Sequence, residues 1–139
     1  MAGPLAGIRV LDLTSVVSGP LATMFLADQG ADVIKIEPLG GDITRHSRQS
    51  ISESGEFSAL FVSTNRGKRS LSLDLKQPEA GKIMRELAAR ADVLVQNFRP
   101  GTMKRLGLGE PTLRASDPAD LLIDQRGRRE RTLRRKAGL

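Results

Sequence analysis

Cysteine is absent from this chain of 139 residues, as are tryptophan and tyrosine, and the only aromatic residues are four phenylalanines. Without cysteine, neither a disulfide scaffold nor a zinc site with thiolate ligands is possible. His46 is the single histidine, which is too few for a histidine-based metal site, so we predict no bound metal. The predicted core is aliphatic.

Long apolar runs and targeting signals are also lacking. No apolar run approaches the roughly 20 residues that a transmembrane helix needs. The first residues, MAGPLAGIRVLDL, have neither the basic start nor the apolar stretch of a secretion signal. Together with the absence of cysteine, these features predict a cytoplasmic protein with no membrane partner.

Positive charge exceeds negative charge, but the formal net charge of +6 is unevenly placed. Residues 120–139 hold seven Lys/Arg and three Asp/Glu, whereas the first 119 residues hold 15 and 13. An Arg-rich segment without an apolar face is typical of a solvated, disordered tail. Because a nucleic-acid surface needs positive charge spread over the folded body, we do not expect nucleic acid as the partner. A small basic nucleic-acid-binding protein that acts through the tail is the alternative.

What the chain does contain is a regular alternation of strand and helix patterns. Apolar runs rich in β-branched residues predict strands over 8–14, 31–37, 70–75 and 92–98. Between them, four helical patterns are predicted: one starts at Pro20, one ends near Asn65, one starts at Pro78 and one follows residue 99. ADLLI (119–123) is a candidate for the start of a further strand. This alternation predicts an α/β domain with a largely parallel sheet and flanking helices over residues 1–119, followed by the tail over 120–139.

Spacing within these elements predicts which side chains are buried. Alternate leucines indicate a half-buried strand at Leu71, Leu73 and Leu75. Helical spacing in the first helix relates Leu21, Met24 and Phe25. The buried stripe predicted for the helix after Pro78 consists of Ile83, Met84 and Leu87.

Candidate ligand-binding residues follow the strands, because ligands of parallel α/β sheets bind outside the carboxyl ends of the strands. The first loop, SVVSGP, lacks the G-x-G-x-x-G dinucleotide fingerprint. Asn97, Phe98 and nearby Arg99 and Arg105 suit an adenine and a phosphate. Alternatively, Phe98 lies in the core and Asn97 fixes a turn.

Polar residues after the second predicted strand favour structural roles. Glu37 is expected at the surface or as a loop anchor, and His46 is expected in solvent. Asp42 and Arg45 are expected to pair across an exposed turn, a contact that contributes less than about 1 kcal/mol.

Several separated motifs resemble the class III CoA-transferases, the family of formyl-CoA transferase, carnitine CoA-transferase and α-methylacyl-CoA racemase. The resemblance begins with PLAGIRVLDLTSVVSGPLATMFLADQGADVIKIEPLGGDITR and continues through NRGKRSLSLDLK and ADVLVQNFRPGTMKRLGLG, as far as about Ser116. It implies the N-terminal part of a Rossmann-like domain that binds coenzyme A, incomplete in this chain, and an interlocked homodimer.

The resemblance also implies a reaction. Transferases of this family move CoA from an acyl-CoA thioester to a carboxylate acceptor through attack by an aspartate carboxylate. Racemases of the family instead move a proton between a histidine and an aspartate. Transferase is the expected activity of full-length relatives, with racemase as the alternative within the family.

Residues carried over from the family form the predicted CoA site, which consists of Val16, Val17, Leu73, Lys76, Asn97, Phe98 and Arg105. Lys68 and Arg69 are further candidates for phosphate contacts. Where formyl-CoA transferase has an arginine, this chain has Pro38, and Arg45 is the neighbouring candidate to replace it.

No catalytic residue is assigned, because the family's catalytic aspartate lies just beyond the matched region. At that place the chain has its Arg-rich tail, and Asp117, Asp120 and Asp124 do not match the nucleophile's context. We hypothesise a shift of reading frame near residue 120, which predicts a truncated chain that is inactive alone.

Overall fold

The computed structural model describes residues 3–46, 57–109, 112–113 and 121–124. Its centre is a five-stranded sheet in the order β3-β2-β1-β4-β5. The strands are β1 (Arg9–Leu13), β2 (Asp32–Glu37), β3 (Arg69–Ser72), β4 (Val93–Gln96) and β5 (Leu121–Asp124). Every neighbouring pair is parallel. This order is that of a Rossmann-like sheet and confirms the predicted α/β class.

Among the described residues, four helices with defined bounds connect and flank the strands: α1 (Ser18–Asp28), α2 (Ala59–Asn65), α3 (Pro78–Ala88) and α4 (Thr102–Arg105). Each corresponds to a predicted helix. The first begins two residues before Pro20, because a proline in the first turn lacks only an N–H that has no acceptor within the helix. None of the helices in the described ranges is long and apolar enough to cross a membrane.

The sheet extends beyond residue 120. β5 pairs with β4 in the register Val93↔Leu121 to Gln96↔Asp124, which confirms a strand within ADLLI and its continuation to Asp124. The basic segment after Asp124, for which disorder and a shifted reading frame are predicted, lies outside the described residues.

One side of the sheet is apolar along most of its central strands, with the buried Gln96 at the carboxyl end of β4 as a polar exception. This apolar face consists of Leu11, Leu13, Ile34, Ile36 and Leu94 and packs against α3, Leu108 and Leu113. The stripe predicted for α3 is wrong at one position, since Ile83 is 41% exposed. The helix instead turns Ala80, Gly81, Met84 and Ala88 inward, and Leu87 is partly buried.

The opposite side, against which α1 packs, changes character along the strands. Near their amino ends Val10, Val33 and Val93 pack with Leu26 and Ala27 of α1, and Val95 lies level with Asp12. Nearer their carboxyl ends Asp12, Lys35 and Glu37 are almost completely buried. Because side chains alternate across a strand, these charged residues share a face with the valines.

Two of the spacing predictions have mixed outcomes. The leucines Leu71, Leu73 and Leu75 are partly buried against the apolar face, as predicted, although β3 ends at Ser72. In α1 only Met24 of the three spaced residues is buried, while Leu21 and Phe25 are exposed. The helix is rotated to place Thr23 inward, where its hydroxyl donates to Asp12.

Candidate functional site

The strand order creates a crevice between the carboxyl ends of β1 and β4. The chain leaves β1 through α1 towards β2 on one side, and α3 later carries it back to β4 on the other side. In such sheets ligands bind outside the carboxyl ends of the strands at this position. The loops that leave these two strands, residues 14–17 and 97–101, therefore border the candidate site.

Asn97 joins the two loops. Its Oδ1 accepts a hydrogen bond from the backbone N–H of Ser15 at 3.1 Å, and its Nδ2 donates to the Ser15 carbonyl at 2.9 Å. A side-chain amide that bonds both polar groups of one residue holds that residue in a single orientation. Asn97 thus has a structural role, as in the alternative interpretation, but the loop that its side chain holds is the one after β1, across the crevice.

Val16 has a backbone φ of +73°, which a β-branched residue rarely adopts. Both Val16 and Val17 are exposed at the start of α1. The loop is tight, since a Cβ added to Gly19 would lie 2.4 Å from the Thr14 Cβ. The surrounding contacts thus hold a strained, exposed apolar loop beside the crevice, as is common at ligand sites.

The other residues of the predicted CoA site follow β3 and β4. Phe98 is partly buried and packs against the apolar core, and its backbone N–H donates to Gln96. The Leu73 side chain also packs against that core, while its N–H donates to the Glu37 carbonyl. Lys76 is exposed beyond β3, and Arg105 is exposed on α4, where it donates to Thr102. Since β3 lies three strand spacings from β4, about 14 Å separates these two groups of residues across the sheet.

Behind the loops lies a buried ionic cluster of Asp12, Lys35, Asp42 and Lys68. The Lys68 ammonium donates to Asp12 at 2.8 Å and also to the Pro20 carbonyl and Asn65. The Lys35 ammonium lies 2.9 Å from Asp42 Oδ2 and donates to the Thr14 carbonyl at 2.8 Å. Asp12 in turn accepts from the N–H and hydroxyl of Thr14. The pair of Lys68 and Asp12 is therefore completed by hydrogen bonds, as buried charges require. In the other pair, Asp42 Oδ2 has Lys35 as its ionic partner but no hydrogen bond among the described residues.

Glu37 organises the loop after β2. Its carboxylate accepts from the Asp42 N–H, from two nitrogens of the Arg45 guanidinium and from the Ser70 hydroxyl. The role of Glu37 as a loop anchor is confirmed, but it is buried rather than on the surface. Asp42 holds the same loop through the N–H and hydroxyl of Thr44.

These contacts determine the ionisation of the buried acids. Burial alone would raise the pKa of Glu37, but the hydrogen bonds from Arg45, Ser70 and Asp42 outweigh it and lower the pKa to about 2. Burial likewise opposes ionisation of Asp12, yet the ammonium groups of Lys68 and Lys35 hold its pKa below the ordinary value. Burial also lowers the pKa of Lys68, although Asp12 opposes this effect.

Two cations that were candidates for phosphate contacts have other partners. The prediction that Lys68 contacts a phosphate is wrong, because its ammonium is buried against Asp12. The prediction that Arg69 contacts a phosphate is also wrong, because its guanidinium binds Asp32. Asp32 begins β2 and therefore lies at the amino end of the sheet, opposite to the candidate site. The polar turn 65–69 therefore serves anions of the protein itself.

The expected exposed pair between Asp42 and Arg45 is also wrong. Asp42 is buried and pairs with Lys35, while Arg45 binds Glu37. The guanidinium of Arg45 further lies 3.9 Å from the ring centroid of Phe61, a cation–π contact. Arg45 is consequently held inside its own loop and does not replace an arginine at the position of Pro38.

His46 is exposed, as predicted, and its Nε2 lies 3.3 Å from the Gly40 carbonyl. Within the described ranges, no group of three or more His, Asp or Glu side chains is arranged to hold a metal ion. The polar chemistry near the crevice is that of amides, carbonyls and ammonium groups.

The sequence interpretation missed the roles of Asp12 and Lys35. The available signal was a charged residue inside an apolar strand, in RVLDL and in DVIKIE. A charge at such a position is buried whenever both faces of the sheet are covered, and it then requires a partner. Spacing along the chain does not identify that partner.

Comparison with known proteins agrees with the fold. The model of CoA-transferase family III matches residues 5–123. A succinyl-CoA:mesaconate CoA-transferase of Haloarcula hispanica is 46% identical over 127 residues, which cover 90% of this chain and 32% of the relative. A human succinyl-CoA:glutarate CoA-transferase is 47% identical over 107 residues, covering 76% of this chain and 24% of the relative.

A crystal structure of a hypothetical protein from Mycobacterium tuberculosis superimposes with a TM-score of 0.78 at 45% identity, covering 87% of this chain and 33% of that one. The chain thus spans about a third or less of the length of these relatives. Neither the racemase nor the nucleic-acid alternative is favoured by these matches. With the family model matching most of the chain, this protein belongs to the class III CoA-transferase family.

Proposed function

We propose that this chain forms a coenzyme A-binding part of a CoA-transferase, which moves CoA between an acyl-CoA thioester and a carboxylate acceptor. The Haloarcula and human relatives described above are named as transferases of this kind, and the chain matches about a quarter to a third of their length. The contribution proposed for this chain is binding and orientation of CoA. No residue of the chain is assigned as the nucleophile.

The observation that carries this proposal is the junction of the two loops at the crevice. Asn97 binds Ser15, next to Val16 and Val17, so that residues from β1 and β4 form one surface. We propose that the adenine and pantetheine of CoA lie on this surface beside Phe98. Such a surface combines apolar side chains with fixed backbone polar groups, as small-molecule sites commonly do.

Lys76 and Arg105 are proposed to bind the phosphates of CoA. Both are exposed cations that follow strands at the carboxyl end of the sheet. A few placed cations suit a small phosphorylated ligand, since each charge-assisted hydrogen bond contributes about 1.5–3 kcal/mol. An interlocked homodimer and a cytoplasmic location also belong to the proposal, as the family resemblance and the lack of cysteine predict.

Titration calorimetry with CoA tests the site on the 139-residue chain. We expect saturable binding that weakens roughly tenfold in Arg105→Gln, as loss of one such hydrogen bond predicts. Arg69→Gln is the matched control, because Arg69 is an exposed arginine at the amino end of the sheet. A folded chain that does not bind CoA, or an equal loss in both variants, would contradict the proposal.

A further inference from the structure

Lys35 occupies an unusual position in the buried ionic cluster. Its ammonium, 2% exposed, lies between two loops: it donates to the Thr14 carbonyl after β1 and pairs with Asp42 after β2. A lysine buried to this degree serves structure or function through its partners, since burial of an unpaired ammonium is strongly unfavourable. Its two partners belong to different loops at the carboxyl end of the sheet.

The contacts of Lys35 continue directly into the candidate site. Asp12 binds the N–H of Thr14 and so orients the loop that Lys35 holds by the Thr14 carbonyl. The next residue, Ser15, is the one that Asn97 holds. Hydrogen bonds and ion pairs thus run from Asp42 through Lys35 to the loops after β1 and β4.

We infer that Lys35 is a positioning residue that couples the loop after β2 to the loop after β1. Through this coupling it holds Val16 in its strained backbone geometry, and with it the neighbouring Val17, for ligand binding. The ligand role of Lys35 rests on the proposed function, whereas the coupling of the loops rests on the contacts of Lys35 alone. Lys35 itself is buried and touches no ligand.

Lys68 provides a matched control within the same cluster. It is equally buried and also pairs with an aspartate, but its partners are Asp12, Pro20 and Asn65. It contacts neither Thr14 nor Asp42 among the described hydrogen bonds and ion pairs. Replacement of either lysine by methionine removes one buried ammonium, so a purely structural role predicts the same result for both.

Amide hydrogen exchange of the full 139-residue chain measures the coupling without any ligand. In Lys35→Met we expect exchange at the Ser15 and Asp42 amides to rise about tenfold relative to the amides of β1. In Lys68→Met we expect exchange at the Ser15 and Asp42 amides to change by the same factor as exchange at the amides of β1. Asp42→Asn is a milder second variant, because Oδ1 can still accept from Thr44; it should raise Ser15 exchange about threefold.

Calorimetry with CoA then tests the ligand role. We expect a roughly tenfold weaker affinity in Lys35→Met and less than a threefold change in Lys68→Met. Equal exchange patterns in the two variants would overturn the coupling. Faster exchange with unchanged CoA affinity would overturn the ligand role. If the wild-type chain does not bind CoA, the proposed function and the ligand role both fail, while the exchange result still decides the coupling.

Discussion

The two faces of the sheet bury different kinds of side chain. The apolar face packs Leu11, Ile34 and Leu94 against α3. The opposite face changes from valines near the amino ends to buried charges near the carboxyl ends, where Asp12, Lys35 and Glu37 lie. Apolar burial stabilises a fold without strict geometry, whereas buried ion pairs require defined partners. The buried charges with defined partners therefore lie at the carboxyl ends of the strands, next to the candidate site.

Removal of one charge from the ionic cluster is the strongest test of this difference. In Asp12→Asn the Lys68 ammonium loses its buried carboxylate partner, so we expect a loss of about 3–5 kcal/mol in the free energy of unfolding. Urea denaturation measures it. The matched control is Asp32→Asn, whose carboxylate pairs with Arg9 and Arg69 while 37% exposed, and which should lose less than about 1 kcal/mol. Similar losses in the two variants would remove the contrast.

On the apolar face, truncation of a buried side chain should destabilise the fold because it leaves a cavity, and not because it leaves an unpaired charge. Met84 is fully buried between α3 and the sheet, and Met84→Ala should lower the free energy of unfolding by about 3 kcal/mol. Ile83→Ala, one residue away and 41% exposed, should lower it by less, about 1 kcal/mol. The same urea experiment compares them. A larger effect at Ile83 would show that the helix packs through a different stripe.

Acid should weaken the ionic face selectively. The folded pKa of Glu37, about 2, is below its ordinary value of 4.5, so its contribution is present above pH 4.5 and is lost as the pH falls towards 2. By pH 3 about 2 kcal/mol of this contribution should be gone.

The Glu37→Gln variant isolates that effect. The difference in unfolding free energy between the wild type and this variant should shrink by about 2 kcal/mol from pH 6 to pH 3. A difference that stays constant over this interval would mean that Glu37 ionises in the folded chain as it does in the unfolded one.

Prediction from sequence succeeded where the signals are local. The order of helices and strands followed from apolar runs and from Pro20 and Pro78, which act on the backbone within a few residues. It failed at Ile83, because both Ile83 and Met84 fit a helical period and only contact with the sheet selects between them. The choice of CoA as ligand came from family motifs and not from any of these patterns.

By itself, then, the sequence determined the succession of elements and the aliphatic nature of the core, because backbone preferences and apolar periodicity are properties of neighbouring residues. Only the tertiary structure decided the strand order and the partners of the charges. Lys68 meets Asp12 from 56 residues away, and Asn97 meets Ser15 from 82 residues away. Such pairs depend on which strands become neighbours, and the competition among partners for a buried charge is resolved only once the sheet has formed.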